Sequence, residues 1–152
     1  MRIGFVLIAF FLMPSISSAL CVKNEYANLR RAPTTKSEMT WKVFRFMPLK
    51  KLSQQKNWLQ VQDFEGKMHW VRQDLVSSSM KCAVIKNEYA NLRQGPGTKF
   101  PLSKAEKGLK YLSFEVLEEK NSWVRLKDAD GDIVWVHRPL LWMSQDSVPI
   151  QP

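Results

Sequence analysis

The chain has 152 residues and a formal net charge of +9, with 45% hydrophobic residues and two cysteines. This length allows one ordinary domain or two small ones, and the excess of Lys and Arg favours anionic partners. No nucleic-acid-binding motif accompanies the charge, so we expect no nucleic acid partner.

The N-terminal segment has the three parts of a secretory signal peptide. Met1-Arg2 gives a positive start, residues 3–13 form an apolar run, and Ser17 and Ala19 occupy the −3 and −1 positions of a cleavage site. A membrane-spanning helix would need about 20 consecutive apolar residues, more than this run contains. We therefore predict a cleaved signal peptide over residues 1–19, a mature protein without a membrane span, and a periplasmic or secreted location.

An eight-residue segment, KNEYANLR, occurs unchanged at residues 23–30 and 86–93, an offset of 63. The correspondence returns at Trp58 and Trp123 with an offset of 65, so the second copy carries a two-residue insertion. A repeat of this kind predicts two copies of one small unit. The predicted boundaries are 20–81 for the first domain, 82–142 for the second and 143–152 for a flexible tail.

Each copy is predicted to consist of short strands and turns. Apolar and polar residues alternate over residues 59–62 and 124–127, the period of a half-buried strand. A polar turn with a closing glycine follows each of them, as a tight hairpin requires. In the partner strands, Trp70 and Trp135 lie two residues after the apolar Met68 and Ile133. Residues two apart share one face of a strand, so we predict that both tryptophans belong to the core. No segment has a sustained helical pattern, so we predict an all-β fold of two tandem small barrels.

The second copy contains an ordered set of motifs: Asn91-Leu92-Arg93, Gly95-Pro96-Gly97-Thr98, residues 114–119, Trp123-Val124-Arg125-Leu126, Trp135-Val136 and Leu140-Leu141. This set resembles the pattern of the bacterial SH3 domain (SH3b). The resemblance covers nearly all of the mature chain, twice, and implies a five- or six-stranded SH3-like barrel per copy with a role in recognition. The first copy departs from the pattern at Ala32 and Thr34, which replace the two loop glycines.

Two tryptophans are candidates for a ligand platform. Strand parity places Trp58 and Trp123 on the more polar face of their strands, opposite Leu59 and Val124. A flat aromatic surface beside polar groups suits a peptide or a sugar. The alternative is that each tryptophan covers an open barrel end or packs against the other module.

The repeated octapeptide supplies four further candidates for ligand binding: Tyr26, Arg30, Tyr89 and Arg93. A tyrosine hydroxyl and an arginine side chain can together hold a carboxylate of a wall peptide or of a partner protein. The alternative is that each arginine pairs with a carboxylate of its own barrel. The octapeptide by itself does not distinguish the two.

Cys21 and Cys82 each lie just before one copy of the octapeptide. In an oxidising compartment two cysteines favour a disulfide, which would tie the first module to the second; the alternative is two buried thiols.

We expect no metal, no cofactor and no catalytic residue. The cysteines and histidines have no zinc-binding spacing, and the acidic segment 128–132 departs from a calcium loop. No motif of a hydrolase or of a phosphate-binding loop occurs.

The sequence therefore predicts a non-catalytic exported binding module that recognises peptidoglycan-derived or partner peptides in the cell envelope. The alternative is a structural protein–protein interaction scaffold without a small ligand. Residues 20–81 contain 12 Lys and Arg against 5 Asp and Glu, whereas residues 82–152 contain 10 against 9. We accordingly expect an anionic polymer contact through the first domain, and a specific pocket for a cell-wall peptide or envelope protein in the second.

Overall fold

The computed structural model describes residues 19–148, which form two seven-stranded antiparallel sheets and no α-helix within that range. The first module contains β1 (Ala19–Val22), β2 (Tyr26–Arg30), β3 (Met39–Phe44), β4 (Pro48–Gln55), β5 (Trp58–Gln62), β6 (Met68–Arg72) and β7 (Val76–Ser77). The second contains β8 (Cys82–Ile85), β9 (Tyr89–Arg93), β10 (Leu102–Leu109), β11 (Ser113–Lys120), β12 (Trp123–Lys127), β13 (Ile133–His137) and β14 (Leu141–Trp142). A 3-10 turn precedes the last strand of each module, at Gln73–Leu75 and Arg138–Leu140. Apart from Ala19, the predicted signal peptide lies outside the described residues.

The two modules share one topology, with the strand orders β3-β2-β6-β5-β4-β1-β7 and β10-β9-β13-β12-β11-β8-β14. The prediction of an all-β fold with two tandem small modules is confirmed. Each module has seven strands where five or six were expected. The last strand of each module has only two residues, too few for any alternation to be visible in the sequence.

The alternation predicted for β5 and β12 is present in the structure. Leu59 and Val61 in β5, like Val124 and Leu126 in β12, are buried, while the residues between them are half-buried on the opposite face. This alternation places the tryptophan that begins each strand, Trp58 or Trp123, outside the core.

The prediction that Trp70 and Trp135 belong to the core is wrong. Both are half-buried on the outer face, opposite Gln60 and Arg125 of the neighbouring strands. The buried residues of β6 are His69 and Val71, because they pair with the core residues of β5. A histidine can be buried at this position because Asp63 and Thr40 satisfy its ring nitrogens.

Each predicted hairpin is closed by an aspartate and a glycine. Asp63 Oδ1 accepts the backbone N–H groups of Glu65 and Lys67, and Gly66 has a φ of 86°. Asp128 makes the corresponding contacts in the second module, where Gly131 has a φ of 93°. The left-handed backbone at these positions explains the two glycines.

A disulfide joins the first strands of the two modules. Cys21 and Cys82 are bonded, as predicted, with their Cα atoms 6.0 Å apart, and both are buried. Phe46 and Met80 pack around the bond. The disulfide therefore lies inside the junction between the modules.

The second module also completes the core of the first. Trp142, in the last strand of the second module, is 1% exposed and packs with core residues of the first. Ser113 Oγ donates to the Arg45 carbonyl (2.8 Å) across the same junction. The junction therefore combines a covalent bond with apolar packing and hydrogen bonding.

The segment that follows Trp142 lies against the folded modules as far as residue 148. Met143 belongs to the second core, and Val148 packs against the first. Lys50 Nζ donates to the carbonyl of Asp146 (3.0 Å), and the Asp146 carboxylate pairs with Arg138 (2.6 Å). Residues 143–148, predicted as part of a tail, are therefore held by contacts with both modules.

Candidate ligand-binding grooves

An open groove lies beside the first residue of β5 in one module and of β12 in the other. Groove 1, in the first module, is lined by Asn24, Glu25, Tyr26, Asn28, Arg30, Thr35, Trp58, Arg72 and Leu75. Groove 2, in the second module, consists of two adjoining cavities that share Asn91 and Leu140. One is lined in addition by Arg93, Thr98, Trp123 and His137, with Pro96, Gly97, Lys99 and Phe100, and the other by Asn87, Glu88, Tyr89 and Ala90. Groove 1 has a volume of about 440 Å³ and the part of groove 2 around Trp123 about 580 Å³, sizes typical of ligand sites.

The two grooves contain the same residue type at eight of nine equivalent positions, and only Arg72 and His137 differ. Most buried core positions differ: Leu49, Leu59 and Val61 of the first module are replaced by Phe114, Val124 and Leu126 in the second. Ala27, Leu29 and Val71 are the core residues that recur, as Ala90, Leu92 and Val136. Retention is thus high on an open surface and low in the core. Folding alone would favour the reverse, since core packing is the more sensitive to substitution.

The predicted platform tryptophans lie in the grooves, half-buried. Each follows a two-residue turn whose first residue, Lys56 or Asn121, has a positive φ of 52° or 55°. In groove 2 the ring of Trp123 lies 5.2 Å from the ring of His137, its cross-strand neighbour. An apolar ring face is therefore open to the groove beside polar side chains.

The two candidate arginines line the grooves and also hold the loop beside them. Arg30 Nη1 donates to the carbonyl of Ser37 (2.7 Å), and Arg93 Nη1 donates to the carbonyls of Thr98 (3.2 Å) and Phe100 (2.9 Å). Within residues 19–148 neither arginine pairs with a carboxylate, which was the alternative considered from the sequence. Each guanidinium keeps further N–H donors beyond the nitrogen used by the loop.

The two candidate tyrosines form the outer end of the grooves. Tyr26 is 46% exposed and Tyr89 is 52% exposed. A lysine from the neighbouring strand lies over each ring, Lys42 at 4.2 Å and Lys107 at 4.7 Å from the ring centroid. The cation–π contact orients the tyrosine without covering the groove.

Several lining residues were missed by the sequence reasoning. Asn24, Asn28 and their equivalents belong to the repeated octapeptide, so the repeat contained a signal for them. Arg72 and His137 are different residue types at one position, and strand pairing alone places them beside the tryptophan. Leu75 and Leu140 lie in the 3-10 turns, which have no sequence pattern of their own.

A second polar cluster lies at the junction, away from both grooves. His69 Nε2 is hydrogen-bonded to Asp63 Oδ2 (2.9 Å), and His69 Nδ1 is hydrogen-bonded to the hydroxyl of Thr40 (2.7 Å). His69 and Asp63 are buried, and Asp63 also holds the hairpin turn. The cluster satisfies buried polar groups of the first module, and valine replaces the histidine in the second.

The tyrosine at the junction contacts the carboxylate of Glu65. Tyr111 Oη donates to Glu65 Oε1 (2.7 Å), and Lys110 and Lys67 lie 3.4 and 3.3 Å from the carboxylate. The Tyr111 hydrogen bond, aided by the two lysines, lowers the pKa of Glu65 despite the opposing effect of burial. The same hydrogen bond raises the pKa of Tyr111.

In the described part of the chain, no three His, Cys, Asp or Glu side chains are grouped so as to hold a metal ion. No helix within residues 19–148 has the length and apolar composition that crossing a membrane requires.

The family model of the bacterial SH3 domain matches the chain twice, over residues 23–78 and 86–143. Among solved structures, NlpC1 from Trichomonas vaginalis is similar at 8% identity and a TM-score of 0.38, over 91% of this chain and 50% of that one. An NlpC/P60 family protein from Bacillus cereus is similar at 12% identity and a TM-score of 0.39, over 89% and 60%. This chain therefore spans about half of the first and 60% of the second. The comparison with curated proteins gives no match.

Proposed function

This chain belongs to the bacterial SH3 domain family, and from that premise we propose that it is a non-catalytic binding protein of the cell envelope. Its ligands are peptidoglycan-derived or partner peptides, held in groove 1 and groove 2. The observation that carries the proposal is the retention of eight of nine equivalent groove residues between modules in which most core residues differ.

The groove residues suit a peptide. The tryptophan offers a flat apolar surface, the asparagine amides can donate to and accept from a peptide backbone, and the arginine can hold a carboxylate. Both cysteines of the chain are bonded to each other, so neither groove has a thiol nucleophile. The residues present therefore favour binding over catalysis.

The disulfide and the predicted signal peptide favour a location outside the cytoplasm. Structural disulfides form and persist in oxidising compartments such as the periplasm and the exterior of the cell. We propose a periplasmic or secreted location on these two grounds.

The first module adds electrostatic attraction to anionic wall polymers. Its β4–β5 hairpin carries Lys50, Lys51 and Lys56 and no acidic residue, whereas the matching hairpin of the second module carries three Glu residues that balance its three Lys and Arg residues. Attraction of this kind acts at long range and weakens as salt screens it. We assign salt-sensitive binding to the basic surface of the first module, outside groove 1, and salt-resistant binding to the two grooves.

The test is cosedimentation of the mature protein with purified peptidoglycan sacculi, at low salt and at about 1 M salt, where the screening length falls to about 3 Å. We expect a bound fraction that persists at high salt and decreases in Trp123→Ala. Met68→Ala is the matched control, because Met68 is 63% exposed and does not line a groove. Absence of binding at both salt concentrations would overturn the wall-peptide proposal, and binding lost with salt alone would reduce it to charge attraction.

A further inference from the structure

The loop beside the groove closes differently in the two modules. In the first module the backbone N–H of Ala32 donates to Ser37 Oγ (2.9 Å). In the second, Gly95 and Phe100 stand at these two positions. A Cβ built on Gly95 would lie 2.5 Å from Phe100 Cγ and closer still to Cδ1, so the phenyl ring occupies the space that any larger residue at position 95 would fill.

The backbone at this position is held in the same way in both modules. Arg30 donates to the carbonyl of Ser37 (2.7 Å), and Arg93 donates to the carbonyl of Phe100 (2.9 Å). The anchored backbone therefore presents a hydroxymethyl group in one module and a phenyl ring in the other. The module with the phenyl ring has Gly95 where the other module has Ala32, because only glycine leaves room for the ring.

Phe100 adds an apolar wall to groove 2 that groove 1 does not have. The ring lines groove 2 together with Pro96 and Trp123 and is 44% exposed. Arg93 and Lys99 bring positive charge to the same lining. In groove 1, Ser37 is not a lining residue, and Arg72 replaces the histidine. Groove 2 thus places an apolar surface beside cationic groups.

We propose that Phe100 makes groove 2 selective for peptides with an apolar side chain next to a free carboxylate, and that Gly95 positions the ring for this role. The apolar side chain packs between Phe100 and Trp123, and the carboxylate is held by Arg93 and Lys99. Groove 1 does not discriminate by side chain. The inference rests on the proposed function, because it assigns ligand specificity to one of the same two grooves.

The two grooves can be compared within one molecule by NMR titration of the mature full-length protein. The indole N–H signals of Trp58 and Trp123 report on groove 1 and groove 2 separately. The probes are N-acetyl-Gly-Leu and N-acetyl-Gly-Ser, which share a free carboxylate and differ in the side chain beside it. We expect the Trp123 signal to give about tenfold tighter binding of the leucine peptide, as partial burial of a leucine side chain predicts. At Trp58 the two peptides should bind within about twofold of each other.

Gly95→Ala tests the role assigned to the ring. The added methyl group should rotate Phe100 out of the groove and remove the preference at Trp123, without unfolding the module, since only a side chain has to move. Phe100→Ser, which introduces the residue of the first module, should also remove the preference. Ile133→Ser is the matched control for the loss of an exposed apolar side chain, because Ile133 is 44% exposed, as Phe100 is, and does not line groove 2.

Three results would overturn the inference. Equal affinity of the two peptides at Trp123 would refute it while leaving the proposed function intact. A preference that persists in both Gly95→Ala and Phe100→Ser would exclude Phe100 as its source. If neither indole responds to either peptide and the protein also fails to bind sacculi, the proposed function fails and this inference fails with it.

Discussion

The two modules have nearly the same groove residues, but their hydrophobic cores are built differently. The first core includes Val84 and Trp142 from the second module, whereas the second core is formed by residues of its own module. The junction also contains the disulfide and the Glu65–Tyr111 contact. The first core is thus completed by the second module, whereas the residues beside each tryptophan are nearly the same in both modules.

The largest effect is expected for Trp142→Ala. A buried tryptophan truncated to alanine costs about 3–5 kcal/mol of unfolding free energy. Although Trp142 lies in the second module, the first module should lose the stability. The indole N–H signal of Trp58, followed by NMR in a urea titration, should therefore show unfolding of the first module at a lower urea concentration. Ser77 stands at the equivalent, half-buried position of the first module and serves as the control; Ser77→Ala should change stability by about 1 kcal/mol or less, because it removes only the hydrogen bonds with Ser79. A comparably small loss for Trp142→Ala would contradict the shared core.

The disulfide comes second. Replacing Cys21 and Cys82 together by serine should cost about 2–4 kcal/mol, because the unfolded chain regains the freedom of a 61-residue loop. Urea unfolding of the double variant measures this loss. The grooves do not contain the cysteines, so peptide affinity measured under folding conditions should stay unchanged. A loss of affinity in the folded variant would show that the junction shapes the grooves.

The two hairpin aspartates provide a matched pair for the next effect. Asp63→Ala should cost about 2 kcal/mol more than Asp128→Ala, because it also leaves the buried His69 without its carboxylate partner. Both substitutions remove the same turn hydrogen bonds, so the difference isolates the histidine contact. Equal losses in urea unfolding would mean that the His69 contact contributes nothing.

The groove tryptophans should act independently. Trp58→Ala or Trp123→Ala should weaken peptide binding in its own groove by about 2 kcal/mol, roughly 30-fold, the effect of removing a central aromatic contact. Isothermal titration with a soluble peptide digest of sacculi should then detect one fewer site. A single variant that loses both sites would indicate one composite site in place of two grooves.

The smallest effect concerns pH and the junction. The folded-state pKa of Glu65 is lowered, so its contact with Tyr111 contributes stability above the usual glutamate pKa, and that contribution is lost as the pH falls below about 4. Glu65→Gln should therefore lower the unfolding free energy more at pH 7 than at pH 3. If Glu65→Gln lowers the unfolding free energy by the same amount at pH 7 and at pH 3, the charge of Glu65 has no part in the contact.

Strand alternation and the repeat were sufficient to predict the all-β tandem fold, and the positions of the cysteines to predict the disulfide. Parity gave the outward position of Trp58 and Trp123, since their strands contain a clear apolar face. It failed for Trp70 and Trp135, because the neighbouring Met68 and Ile133 are apolar yet exposed, and register with β5 and β12 decides which face is buried.

Long-range packing accounts for what the sequence did not predict. Nothing local to Trp142 indicates that it enters the core of the other module. The ring of Phe100 lines groove 2 because Gly95, five residues earlier, leaves the space, and this relation appears only once the loop is folded. The burial of His69 could not be predicted for a similar reason, because its two hydrogen-bonding partners, Thr40 and Asp63, come from a different strand and from a turn.

The central claim, that each module binds a peptide in the groove beside its tryptophan, is tested most directly by one NMR titration. A soluble peptide digest of sacculi is added to the mature protein while the indole N–H signals are followed. The account predicts saturable shifts of the Trp58 and Trp123 signals, and no shift for Trp41 and Trp142, which do not line a groove. Unchanged Trp58 and Trp123 signals at saturating digest, or shifts confined to Trp41 and Trp142, would contradict it.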